Sequence, residues 1–409
     1  MSRTRALRPR RAARRTGWIA LLALVVAVGV YLPATLLAPL PSTAAVVTSF
    51  AAPTESKLDL TFPTYGGSAV EAVGFENSLQ TSGDTSPRSI ASISKIVTAL
   101  VVLDAKPLNG GDGPTITFSA ADTALYSTYL AQDGEVAAMP TGGQLTEKQV
   151  MQVALIKSAN NYAATLAFWA FGSNQGYVTA ATKWLKAHGL DHTSLAEPTG
   201  LNPANQSTAS DLVKLGKLAV ADPDIASIVS TTSITLPYAG TIQNSNKLLG
   251  IDGVVGIKTG TLDQAGACLL FAVKEQIDGQ DVTVVGAMLG GKDHPSLDVD
   301  VQKLLAGVKA GFHTVHAVAK GATYGSYSTK WGATAKLVTT KAVDKLVYGD
   351  VSVKARITTE KVHQAKAGED VGSLTVSIGG TSEKVPLELA SDLPGPDAWW
   401  RITNPSVTL

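Results

Sequence analysis

The chain has 409 residues, 45% apolar and 16% charged, which is length for two or three domains and too apolar a composition for long disorder. Its formal net charge is +1, but seven arginines fall within residues 1–16 and the first acidic residue is Glu55; the mildly acidic remainder argues against a general nucleic-acid binder. A single cysteine, Cys268, excludes an intrachain disulfide and a cysteine-based metal cluster.

In chain order, residues 1–17 form an arginine-rich tail and residues 18–40 (WIALLALVVAVGVYLPATLLAPL) carry no charge. At ~1.5 Å per residue the latter reach ~34 Å, enough for a bilayer core of ~30 Å, with Pro33 as a kink or an end. The basic flank places the tail in the cytoplasm, so the reading is a single-pass signal anchor in the cell membrane with the rest of the chain outside. A cleaved signal peptide is the competing reading, opposed by the length of the run and the lack of a clean A-x-A site. Residues 41–56 are small and polar and read as a tether.

A body is expected over 57–318. Segment 68–80 starts strand-like. From Ser92 to Asp104, Ile93, Ile96, Val97, Leu100 and Val101 share one helical face. Thr146-Glu147-Lys148-Gln149 has capping-box spacing and predicts a helix start. ACLLFAV and DVTVVGAML flank the turn signal Ile277-Asp278-Gly279-Gln280 and predict a hairpin, with Cys268 as a small core residue. Residues 296–312 repeat Leu297, Val301, Leu304, Leu305 and Val308, an amphipathic helix. Beyond 318 the short alternating stretches KLVTT, VSVKARITT, SLTVSI and KVPLEL predict a separate small all-β domain, 319–409, with Trp399-Trp400 as core or edge packing.

Three motifs stand in order: Ser92-Ile93-Ser94-Lys95 (S-x-x-K), Ser158-Ala159-Asn160 (S-x-N) and Lys258-Thr259-Gly260 (K-T-G). Taken singly they read better as an ordinary helix start, a helix C-terminal turn and a strand end; their order and their spacings of 66 and 100 residues make the combination specific. A serine hydroxyl needs a base to become a nucleophile. Ser92 and Lys95, at i and i+3, share a helix face. Lys95 serves as base only if its pKa falls, which burial or a nearby cation such as Lys258 would bring about. The expected route has Lys95 deprotonate Ser92, Ser92 attack an amide carbonyl, Ser158 relay the proton to the leaving amine, and water release the acyl group.

With these residues the chain resembles the serine D-alanyl-D-alanine carboxypeptidases, the low-molecular-mass penicillin-binding proteins of peptidase family S11, over about residues 60–402. The resemblance rests on Ala91–Ala99, Lys157–Ala163, Gly200-Leu201-Asn202, Ser207–Leu212, Gly256–Thr261 with Ala265-Gly266, and the tail stretches GEDVGSLTV and WWRIT. It implies an α/β (α+β) penicillin-binding, β-lactamase-like transpeptidase fold: an antiparallel sheet paired with a helical cluster, the cleft between them, then a small all-β domain. It also implies site roles. Ser92 forms the acyl-enzyme, Lys95 is its base, and Ser158 and Asn160 face them. Lys258 and Thr259 of the K-T-G strand, which Gly260 completes, bind the terminal carboxylate, and the backbone N–H groups of Ser92 and Thr261 form the oxyanion hole. The implied substrate is a peptidoglycan stem peptide ending in D-Ala-D-Ala, with β-lactams as inhibitors.

One departure stands out. The resembled family commonly places an arginine before the last helix of the body, yet no arginine occurs from residue 89 to 355. The matching stretch GGKDHPSLDVD puts Leu297 about there, with Lys292 as the nearest cation, so endopeptidase or transpeptidase preferences stay open. A class A-like β-lactamase is one alternative, with Glu197-Pro198-Thr199-Gly200-Leu201-Asn202 faintly like its glutamate loop. A non-catalytic penicillin-binding sensor or scaffold is another. No H-E-x-x-H, P-loop or dinucleotide fingerprint occurs, and His313 and His316 read as a solvated face, so no metal and no cofactor are expected.

Overall fold

The computed structural model describes residues 10–53 and 57–408; residues 1–9 of the arginine-rich tail and 54–56 of the expected tether lie outside them. The first helix, Arg10–Leu36, has Pro33 three residues before its end. Its stretch Arg14–Leu36 is 23 residues long with mean hydropathy 2.4 and is almost wholly exposed, so length and composition suit either a membrane anchor or a signal sequence.

The chain divides into two compact units. One joins the N-terminal segment to Thr314–Lys345 and to the chain from Val351 onward; the other runs to His313 and adds Leu346–Asp350. In the first unit a six-stranded sheet runs in the order Val46–Val47, Thr323–Ser328, Thr334–Thr339, Thr381–Leu389, Asp370–Ile378, Val353–Thr359. Its core comes from the inward members of the alternating stretches, among them Leu337, Leu374, Val385 and Leu387. Part of the stretch read as a tether is the first strand of this sheet. Val46 and Val47 pair with Ser326 and Gly325, and a side chain on Gly325 would lie 2.4 Å from Val46 O, so glycine lets the two backbones meet. Trp399 and Trp400 lie in a short helix, Ala398–Thr403, because the Asp397 carboxylate caps it by accepting from Trp400 N. Trp400 packs edge-on against Trp331, and Trp399 stays exposed.

The second unit holds an antiparallel five-stranded sheet: Val254–Leu262, Gly266–Ile277, Gln280–Gly291, Gly67–Ala72, Gln80–Gly83. The expected hairpin is its centre, with Ile277 opposite Gln280. ACLLFAV is continuously apolar because both faces of the sheet are covered. Cys268, Leu270 and Ala272 face the helical cluster, while Leu269, Phe271 and Val273 face the helix His294–Ala310. That helix buries all five residues of its expected apolar stripe. On the other face lie Ser94–Ala105, buried almost all round, and Glu147–Ile156, whose N-terminus carries the expected capping box between Thr146 and Gln149. This is an α+β body with a β unit following, as the sequence implied. The K-T-G strand is an edge strand, paired on one side only, with Lys258 opposite Leu270 and Gly260 opposite Cys268.

Candidate active site

The S-x-x-K segment enters its helix through a 3-10 turn, Ala91–Ile93. Ala91 has φ +46°, a left-handed value that costs a non-glycine residue energy and sets the half-buried Ser92 at the head of the helix. One turn on, Lys95 Nζ lies 2.8 Å from Ser92 Oγ and 2.7 Å from the Thr199 carbonyl. Lys95 is 1% exposed. Burial first, and then the charge of Lys258, hold its pKa well below the ordinary 10.5.

Thr199 belongs to a loop that Glu197 organises. Its carboxylate accepts from Thr199 N and Gly200 N, each at 2.6 Å, from Asn202 N at 3.3 Å and from Asn205 Nδ2 at 3.1 Å. The loop is also tied to the helix, because Thr98 Oγ1 donates to Pro198 O at 2.7 Å. Gly200 is required there. Its φ is +90°, and a Cβ would lie 2.0 Å from Ala91 O.

Ser158 has φ +65° and lies in the turn between helices Glu147–Ile156 and Asn160–Phe171. Asn160 N donates to Glu135 O at 2.7 Å, and Asn160 Oδ1 is buried without a protein partner. Lys258, 1% exposed, donates to Thr259 O at 3.1 Å; burial pushes its pKa down to about 7 against the pull of Glu135. The Thr259 and Ser245 hydroxyls are 2.5 Å apart. Gly260 lets the strand pass close to the nucleophile turn: a Cβ there would lie 2.9 Å from Ile90 O, 3.1 Å from Ala91 Cβ and 3.3 Å from Ser92 N.

Ser92, Ser158, Asn160, Thr259, Gly260 and Thr261 line one cleft of about 820 Å³, while Lys95 and Lys258 are buried beside it. All eight expected site residues therefore gather at one place. The cleft also takes in Ser245 and His294, which motif spacing does not mark. His294 Nε2 lies 2.9 Å from Thr261 Oγ1. Lys292, expected as the nearest cation, is exposed and does not line the cleft, and Leu297 is wholly buried against the sheet. His294 is the first residue of its helix and reaches the cleft from that end, whereas Leu297, one turn further on, packs into the core.

Residues 78–289, just over half of the chain, match the profile of peptidase family S11, described as D-alanyl-D-alanine carboxypeptidase. The chain belongs to that family. Among S11 and related proteins, it is 33% identical over 197 residues to a D-alanyl-D-alanine endopeptidase of Escherichia coli (strain K12), covering 45% of this chain and 59% of that one. It is 25% identical over 322 residues to the D-alanyl-D-alanine carboxypeptidase DacA of the same organism, covering 75% and 78%. Penicillin binding protein 5 from Haemophilus influenzae shares the fold, with a TM-score of 0.57 at 20% identity over 84% of this chain and 99% of that one.

Within this S11 frame the resemblance of residues 197–202 to a β-lactamase glutamate loop has a structural explanation. The Glu197 carboxylate is occupied by three backbone N–H groups and an amide, which leaves it to brace the loop instead of activating water. Cys268 is fully buried and burial raises its thiol pKa to about 11, as suits a core residue. His313 and His316 lie on the strand Phe312–Val318, where exposed His316 meets Asp344 at 2.8 Å. Among the described residues no group of three or more His, Cys, Asp or Glu side chains is gathered to hold a metal.

Proposed function

We propose that this chain is a serine-type D-alanyl-D-alanine carboxypeptidase, removing the terminal D-alanine of peptidoglycan stem peptides through an acyl-serine intermediate. The observation that carries this reading is the 2.8 Å contact between Ser92 Oγ and a lysine that is buried and held toward its neutral form. Neutral Lys95 takes the Ser92 proton as Oγ attacks the carbonyl of the penultimate residue. The backbone N–H groups of Ser92 and Thr261 receive the oxyanion, a contribution of about 3–4 kcal/mol per well-placed donor. The C–N bond then breaks, and the proton passes from Lys95 through the Ser158 hydroxyl to the departing amine. Lys95, neutral again, accepts a proton from water as that water attacks the ester, and Ser92 is restored.

Lys258, with Thr259, holds the terminal carboxylate, an anion whose arrival favours the charged lysine. Asn160 Oδ1, buried and unpartnered, is an acceptor for a substrate N–H. β-Lactams acylate Ser92 as substrate mimics. The apolar helix within residues 18–40 anchors the chain in the cell membrane as a single pass, with the body outside the cytoplasm. Cleavage inside cross-linked peptides is a second reading, favoured by the absence of arginine from 89 to 355 and by the likeness to an endopeptidase.

Mass spectrometry of the protein incubated with penicillin, and separately with a D-Ala-D-Ala peptide, tests the proposal. It predicts one adduct on Ser92, released D-alanine, and neither from Ser92→Ala. Adduct on the Ser92→Ala variant, or none on the wild type, would overturn it.

A further inference from the structure

We propose that His294, paired with Thr261, reads the carboxylate of the residue that leaves during the reaction, and that it makes this reading depend on pH. The inference rests on the peptidase reading above and adds to it a specificity-determining residue. His294 lines the same cleft as Ser92, Thr259 and Thr261, on the side where the edge strand carries Lys258. Its Nε2 lies 2.9 Å from Thr261 Oγ1, and its Nδ1 is buried without a hydrogen-bond partner. Among the described residues no arginine lines the cleft, and Arg88, the last before position 356, is turned toward Gly66 and Gly290, 3.1 and 2.8 Å from where their Cβ atoms would stand. A histidine therefore stands beside Thr261 in a cleft whose lining cations are the lysines Lys157 and Lys247, point charges without an arginine's fork.

The coupling follows from the number of protons a hydroxyl holds. Thr261 Oγ1 has one proton to give. When the imidazole is neutral with its proton on Nδ1, Nε2 accepts that proton's hydrogen bond, and the threonine hydroxyl is turned toward the ring. When the imidazole is protonated, Nε2–H donates to Thr261 Oγ1. The hydroxyl proton is then released toward the cleft, and the cleft gains a positive charge. Both changes favour an anion beside Lys258 and Thr259.

The charged groups facing the ring are Lys258 from the edge strand and Asp293 and Asp298 from its own helix and its cap. Burial holds the His294 pKa below its ordinary 6.5 and Lys258 acts the same way, while Asp298, the Gly260 carbonyl and Asp293 oppose them. The ring is thus biased toward its neutral form, and an arriving carboxylate favours its protonation. A leaving residue with a free carboxylate gains most in acid, whereas one whose carboxylate is masked as an amide is indifferent to the ring's charge.

The test compares wild type, His294→Gln and His294→Arg on an N-acylated peptide ending in D-Ala-D-Ala and on the same peptide as its C-terminal amide, from about pH 5 to about pH 8. Taking the ratio of wild type to variant removes the titration of Lys95, which all three proteins share; that of Lys258 is followed separately in each, because its charge is coupled to that of His294. For the free acid, kcat/KM of the wild type should exceed that of His294→Gln by about tenfold at the acid end, the size of one charge-assisted hydrogen bond, and the excess should shrink as pH rises. His294→Arg should keep its advantage over His294→Gln across the whole range. For the amide the wild-type to His294→Gln ratio should not vary with pH.

Penicillin adduct formation at Ser92 in each variant, read by mass spectrometry, establishes that its nucleophile is intact. A ratio that does not change with pH, or that changes alike for acid and amide in variants that still form the adduct, would overturn the inference and leave the peptidase reading standing. A wild type that forms no adduct and releases no D-alanine would overturn both.

Discussion

Replacing Gly260 by alanine tests how closely the edge strand must approach the nucleophile turn. The added Cβ would lie 2.9 Å from Ile90 O and 3.1 Å from Ala91 Cβ. Carbon atoms pack best at about 3.5–4.0 Å, so relief requires roughly half an ångström of separation. Neither side yields easily. Ile90 N donates to Asn205 O at 3.1 Å, and Gly260 is held in register with Cys268, whose neighbours fill both core clusters. Overpacking of this kind costs about 1–3 kcal/mol of stability. A misplacement of about 1 Å costs reacting groups about 10²-fold in rate, so half of that predicts roughly tenfold slower acylation. Stopped-flow acylation by a fluorescent penicillin, with thermal denaturation of the same samples, measures both. An acylation rate within about twofold of wild type, with an unchanged Tm, would refute the close-approach argument.

Glu197→Gln replaces one acceptor oxygen by an N–H₂ group facing backbone donors, and should cost about 1–3 kcal/mol in chemical denaturation while slowing acylation through the displaced Thr199 carbonyl. Lys258 has a folded pKa of about 7 against an ordinary 10.5, so the unfolded chain binds more protons between these values and wild-type stability rises with pH there. The stability of Lys258→Met relative to wild type should therefore fall as pH goes from about 7 to 10.5, and a difference constant with pH would count against a depressed lysine. Glu147 is the opposite case: buried, with neither carboxylate oxygen hydrogen-bonded, its pKa is raised by burial to about 7 from 4.5. The folded chain holds the extra proton in that window, so wild type loses stability as pH rises through it. Glu147→Gln should gain about 1–3 kcal/mol over wild type at pH 8 and much less near pH 4.5, read from denaturation midpoints.

Much of the site was legible because its chemistry depends on short spacings. Ser92 and Lys95 are one helical turn apart, and the capping box at Thr146 and the hairpin turn at Asp278-Gly279 are fixed by local backbone preferences. Leu297, Val301, Leu304, Leu305 and Val308 announced their helix by periodicity alone. What stayed hidden was set by tertiary approach. His294 meets Thr261 across 33 residues, and only the direction in which the helix starts decides that it, and not Leu297, faces the cleft. Glu197 could be noticed as part of a loop, but its four hydrogen bonds depend on how that loop closes. The left-handed backbone at Ala91 and Ser158 left no trace, since neither residue type favours it. Val46-Val47 carried a strand preference too short to stand out within a small, polar stretch.

The claim that Lys95 is held toward its uncharged form beside Ser92 is tested most directly by a pH titration of lysine ε-carbons by NMR. The resonance of Lys95 is assigned by its loss in Lys95→Met, and that of Lys258 by its loss in Lys258→Met. The account predicts that the Lys95 signal moves with a midpoint well below 10.5. A Lys95 signal that titrates at the ordinary lysine value, or above it, would contradict the account.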